Sequence, residues 1–161
     1  MSSLFRFGLA GLLSFFAVAT AFAQLPNPYG ASVNLETARK IVAAGAAEVR
    51  KNGWNMAIAV VDPSGDLVYF EKLDGTQAAS SSIAIEKARS SARFKRPTKA
   101  LQDALAGGGA GLRMLALEGA VPVEGGVPII MEGRIVGAIG VSGGTSEQDG
   151  QVAMAAAATV K

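Results

Sequence analysis

The chain has 161 residues, 15 of them basic and 13 acidic, and contains neither cysteine nor histidine. Without thiol or imidazole, disulfide staples, Ser-His and Cys-His triads, and histidine-held zinc or iron are all excluded, so any chemistry falls to lysine, carboxylates, tyrosine, hydroxyls and backbone amides. The small charge excess argues against a nucleic-acid partner, which calls for a strongly basic surface.

Residues 1–23 have a composition of their own: one early cation, Arg6, an apolar stretch from Phe7 to Ala19, and small residues at Ala21 and Ala23 ahead of Gln24. This is the pattern of a secretory signal peptide cleaved after Ala23. The apolar stretch falls short of the roughly 18 to 20 residues that cross a bilayer, so no stable membrane anchor is expected, and the mature chain is expected in the periplasm or secreted. Taking 23 residues from 161 leaves 138, enough for one domain that buries roughly two thirds of its unfolded surface. Arg6 leaves with the leader, so 14 basic residues face 13 acidic ones and the mature net charge is +1.

Positions 24–33 contain Pro26, Pro28 and Gly30 without periodicity and read as an extended lead-in to a domain spanning 34–161. Asn34 can cap a helix in which Leu35, Ala38, Ile41, Val42, Ala46 and Val49 recur at helical spacing, ending near Asn52-Gly53. Met56–Val61 and Leu67–Phe70 are apolar runs separated by Asp62-Pro63-Ser64-Gly65-Asp66, the chemistry of a β-hairpin turn. After the break at Asp74-Gly75, Ser80 to Ser82 offer caps for a helix over about Ile83–Lys95, which Pro97 is expected to close.

A short helical turn over Thr98–Leu105 is expected next, then a loop at Gly107-Gly108-Gly109-Ala110-Gly111, where backbone freedom disfavours a regular element. Val127–Met131 and Ile135–Val141, joined by Glu132-Gly133, predict a second hairpin. Thr145 with Gln148, or Ser146 with Asp149, has capping-box spacing ahead of an alanine-rich helix. The fold class is therefore α+β, an antiparallel sheet flanked by helices in the order α-β-β-α-(α)-β-β-α, with two or three strands in the second half.

Several segments, in this order, resemble the GlcG/HbpS-like family. They are Met56-Ala57-Ile58-Ala59-Val60-Val61-Asp62 with Gly65, Leu73-Asp74-Gly75, Ile85-Glu86-Lys87-Ala88 with Phe94 and Pro97-Thr98, Gly125-Gly126-Val127-Pro128-Ile129, and Val136 to Thr145 leading into Glu147-Gln148-Asp149. The resemblance runs from about Asn34 to Val160. It implies a profilin-like fold, homo-oligomeric assembly and, for some members, binding of haem outside the cytoplasm. Members that hold haem are expected to place a histidine near the iron. This chain has none, so any haem would be held without histidine.

Within that frame, Lys87, Arg89, Arg93, Lys95, Arg96 and Lys99 put six cations in thirteen residues with no acid between them. They form either a solvated helix face or an attraction for carboxylates, phosphates or haem propionates. Lys87 is the strongest single candidate, as a charge anchor or a base. Ser142-Gly143-Gly144-Thr145 leads from a strand into a helix start, where free amides favour an anion unless the turn is only geometry. Gly125-Gly126 can let a ligand approach the backbone or mark a bulge. The candidate binding set is therefore Lys87, Arg93, Phe94, Gly126, Ser142, Gly143, Gly144 and Thr145.

Phe70 and Trp54 join Phe94 as candidate pocket aromatics, with core packing their ordinary role. Met56, Met114, Met131, Met154, Tyr29 and Tyr69 are the side chains that can in principle hold haem iron, although most stand in apolar runs that read as core. Asp62, Asp66, Asp74, Glu147 and Asp149 are explained by turn and cap roles. Three readings stay open: a binder of haem or a similar anionic tetrapyrrole, an enzyme using Lys87 on a small carboxylated metabolite, and a partner protein whose surface is its function.

Overall fold

A computed structural model describes residues 27–160; the leader expected at 1–23 lies outside the described residues. Helix α1 spans Leu35–Lys51, with Asn34 accepting from the Thr37 amide at its start. Strands β1 (Ala57–Val61) and β2 (Leu67–Lys72) form the first hairpin, and α2 (Ser80–Phe94) and α3 (Thr98–Ala106) follow. A short 3-10 helix over Gly109–Ala116 precedes β3 (Gly126–Met131), β4 (Arg134–Ser142) and α4 (Ser146–Ala157).

The four strands make one antiparallel sheet in the order β2-β1-β4-β3. Helices α1 and α4 cover one face and α2 the other. The α+β class and element order agree with the sequence reading, with two strands in the second hairpin. No helix of the described residues is long and apolar enough to cross a membrane.

The two faces are built differently. Towards α1 and α4 the sheet presents Ile58, Val60, Ile139 and Val141 against Ile41, Val42, Val49 and Val152, all fully buried. Towards α2 it presents Ala57, Ala59, Val61 and Ala138 against Ala84, Ala88 and Ala92. These small side chains let α2 settle onto the strands. At Gly140 a Cβ would run into the Ala84 carbonyl and stand 3.0 Å from the Ala88 Cβ, so glycine is what permits the approach. The face phase of β4 changes at Val136, which β3 skips when its pairing jumps from Ile129–Gly137 to Ile130–Ile135.

Three local expectations are corrected. Helix α2 begins at Ser80, whose buried hydroxyl meets Ser142, so it does not start at Ile83 behind serine caps. It ends because Lys95 turns left-handed (φ 54°); Pro97 instead stands at the cap position of α3. The glycine run is a loop only in part, since the 3-10 helix starts at Gly109 once Gly108 and Gly109 have taken positive φ. The lead-in is a strap: Gly30 and Val33 donate to the Ile135 and Val136 carbonyls, and Ile135 donates to that of Pro28, beyond the point where β1 stops pairing with β4.

Candidate functional site

An apolar cleft of about 540 Å³ lies between α3, the start of β3 and α4. Pro97 and Ala100 of the α3 end, Val127 of β3 and Met154 of α4 form its apolar walls, and Gly125, Gly126 and Gly150 give it a floor of backbone, with the Glu124 side chain lying against Gly150. Lys99, Asp103 and Glu124 are its charged residues. Lys99 donates to both carboxylate oxygens of Asp103 at 2.8 and 3.0 Å, one helical turn away. Hydrogen bonding to Asp103 pushes the Lys99 ammonium above its ordinary value.

Beneath the floor lies a sealed ionic network. The Lys87 side chain is 2% exposed and that of Asp149 is 4%; the ammonium donates to Asp149 Oδ2 at 2.7 Å and to the Val141 carbonyl at 3.2 Å. The other Asp149 oxygen accepts from the Gly144 amide at 3.0 Å. Burial raises the Asp149 carboxyl above the usual carboxylate range, against the pull of Lys87 and the Gly143 and Gly144 amides. Gly125 sits directly over this pair with φ +130°, and a Cβ there would stand 2.9 Å from both Lys87 Nζ and Asp149 Cβ. Beside it the Gly126 amide donates to Thr98 Oγ1 at 2.9 Å, tying β3 to the start of α3. The pair thus links α2, β4 and α4 under the cleft and holds its floor in place.

The turn from Ser142 to Thr145 spends its donors within the chain. Gly144 gives its amide to Asp149, Thr145 gives its own to Gln148 Oε1 at 2.9 Å, and Gln148 returns an amide to Thr145 Oγ1 at 3.3 Å. The capping box is therefore the Thr145/Gln148 one, and the anion at the start of α4 is the protein's own Asp149. Ser142 Oγ bonds Ser80 Oγ at 3.3 Å on the α2 side.

Of the sequence-derived candidates, Lys87, Gly126, Ser142, Gly143, Gly144 and Thr145 gather around this network, and Gly126 alone of them lines the cleft. Arg93 and Phe94 lie at the far end of α2. The Arg93 Nε donates to the Ser64 carbonyl at 2.9 Å, across the β1–β2 turn. Phe94 is half-buried away from the cleft, while Trp54 and Phe70 pack against the two cores. The six cations do not form one patch. Lys87 is buried, Arg89 holds Glu86 and the Gly65 carbonyl, Lys95 lies 4.1 Å over the Tyr29 ring, Arg96 bonds the Phe94 carbonyl and Lys99 holds Asp103.

Sequence reasoning missed Ala100, Glu124, Val127 and Gly150 as cleft residues and took Asp149 for a cap residue only. The usable signal was a carboxylate one position past the Gln148 that completes the capping box. A cap needs nothing there, so that acid is free to turn inward.

Comparison with known proteins places this geometry among relatives. The profile of the family described as haem degrading protein HbpS-like matches residues 33–158. Protein GlcG of Escherichia coli K12 is 40% identical over 107 residues, 66% of this chain and 78% of that protein. The crystal structure of a Streptomyces reticuli HbpS double mutant superposes with a TM-score of 0.75 at 27% identity, covering 96% of this chain and 99% of that one. A PduOC:heme complex shares the fold at 23% identity, with a TM-score of 0.72 and coverage of 81% and 96%.

Proposed function

Because this chain belongs to the HbpS-like family, we propose that it is an exported binder of haem or a related tetrapyrrole, with the cleft between α3, β3 and α4 as its seat. The observation that carries the reading is the cleft itself. Its walls are apolar, its floor is backbone, and at about 540 Å³ it falls within the roughly 300–1,000 Å³ range of small-molecule sites.

The residues fit a flat apolar ligand better than a compact anion. Pro97, Ala100, Val127 and Met154 would hold the macrocycle, and Glu124, buried against Gly150, makes that part of the cleft unfavourable to carboxylates. Propionates would accordingly face outward, with Lys99 the cation on that rim, in exchange for its bond to Asp103. Bound haem supplies one-electron and oxygen chemistry; the chain supplies shape, exclusion of water and a fixed floor.

In this reading Lys87 is a positioning residue. Its ammonium is committed to Asp149 and Val141, which leaves it a charge anchor inside the fold and no base open to a small metabolite. Export rests on the leader read in residues 1–23, with cleavage after Ala23. Self-association into a homo-oligomer is supported by Leu112, Leu115 and Leu117, which stand 40–69% exposed in and just after the 3-10 helix.

Haemin titration followed in the Soret region, with albumin and a basic protein as controls, tests the proposal. Saturable one-to-one binding above the controls is the expected result, and absorbance no different from the basic control would refute it.

A further inference from the structure

If the cleft holds haem, as proposed above, the chain must face the iron without imidazole or thiolate. The geometry points to Met154 as the residue that supplies the iron's protein ligand, through its thioether sulfur. The six methionine and tyrosine side chains of the described residues are separated by the fold. Met56 is fully buried in the core, and Met131 borders a different depression, beside the strap. Met114 belongs to the 3-10 helix, outside the cleft lining. The Tyr29 hydroxyl donates to the Ala92 carbonyl at 2.9 Å, and Tyr69 packs against the core with Arg39 over its ring at 5.7 Å. Met154 alone of the six lines the cleft.

Its setting supports the assignment. Met154 is 55% exposed although it stands on the helix that closes the core, so its sulfur is not spent on packing. It follows Gly150 by four residues, which puts the two on one face of α4, and Gly150 is part of the cleft floor. The other residues of that turn, Ala153, Ala155, Ala156 and Ala157, carry nothing longer than a methyl group. A flexible, polarisable thioether thus stands at the cleft wall, one turn beyond the place where the Glu124 carboxylate lies against Gly150.

The test loads the purified chain with haemin and records ferric and ferrous spectra, including the near-infrared band where sulfur-to-iron charge transfer appears. Three variants accompany the wild type: M154L, which keeps the volume without the sulfur's donor; M154H, which offers a stronger ligand; and M131L, a thioether outside the cleft. Thermal melts check that all remain folded. The expected result is loss in M154L of the sulfur-dependent features of the wild-type ferric and ferrous spectra, with saturable binding kept, a nitrogen-ligated spectrum in M154H, and no change in M131L. Identical wild-type and M154L spectra at saturating haem would overturn the ligand assignment and leave the cleft reading standing. A wild type that binds no haem saturably would overturn the cleft reading, and the ligand with it.

Discussion

The two faces of the sheet solve different problems. The face under α1 and α4 is filled by branched aliphatics and is a conventional core, in which bulk removed from water supplies the stability. The face under α2 is nearly free of bulk, with alanines and Gly140 letting backbone approach backbone, and its side of the sheet carries most of the buried polar groups of the described residues, Lys87, Ser80, Ser90, Ser91 and Thr98 among them. One face stabilises; the other positions. Close approach is what brings Lys87 of α2 within reach of Asp149 and Val141 and seats the Gly125 floor above them.

Breaking the polar side is expected to have the largest effect. Lys87→Met leaves Asp149 as an uncompensated buried charge and should cost about 3–5 kcal/mol in chemical denaturation. The double variant K87M/D149L should recover much of that loss, because the loss is the orphaned charge; a double variant no more stable than K87M would show that the pair matters for some other reason. On the aliphatic face, Ile58→Ala should cost roughly 2–5 kcal/mol by opening a cavity among fully buried neighbours.

The converse change tests the small face. Ala88→Leu adds volume where Gly140 and Ala84 already meet, and should cost about 1–3 kcal/mol by lifting α2 from the sheet. The same enlargement at an exposed alanine such as Ala155 should be nearly silent. Among the destabilising changes the smallest effect is expected of Thr145→Ala, roughly 0.5–2 kcal/mol, read as a lower melting temperature from loss of the α4 cap.

What could be read from the sequence divides along the same line. The aliphatic face declared itself through local periodicity: Ile41, Val42 and Val49 at helical spacing, and compact runs at Met56–Val61 and Ile135–Val141 flanking short turns. The Asn34 cap and the Thr145/Gln148 box are likewise local patterns, and both stand where their spacing put them. The polar side was legible only in pieces. Lys87 stood out, but its partner lies 62 residues away, and no periodicity links a helix lysine to a carboxylate that looks like a cap. The run of cations misled for the same reason. Arg93 and Lys95 find their partners, the Ser64 carbonyl and the Tyr29 ring, in distant segments that only folding brings close.

The cleft is the extreme case, since its walls come from α3, β3 and α4 and share no sequence pattern. Its role as the ligand seat is the central claim, and it can be tested at Ala100, an exposed α3 residue on the cleft wall whose replacement disturbs no core packing. The decisive measurement is the haemin titration of Ala100→Trp beside the wild type, with melting temperatures recorded for both. The expected result is saturable one-to-one binding by the wild type, with the blocked variant folded as well but showing no specific Soret band. Equal binding by the two proteins would contradict the account by placing the ligand elsewhere on the molecule.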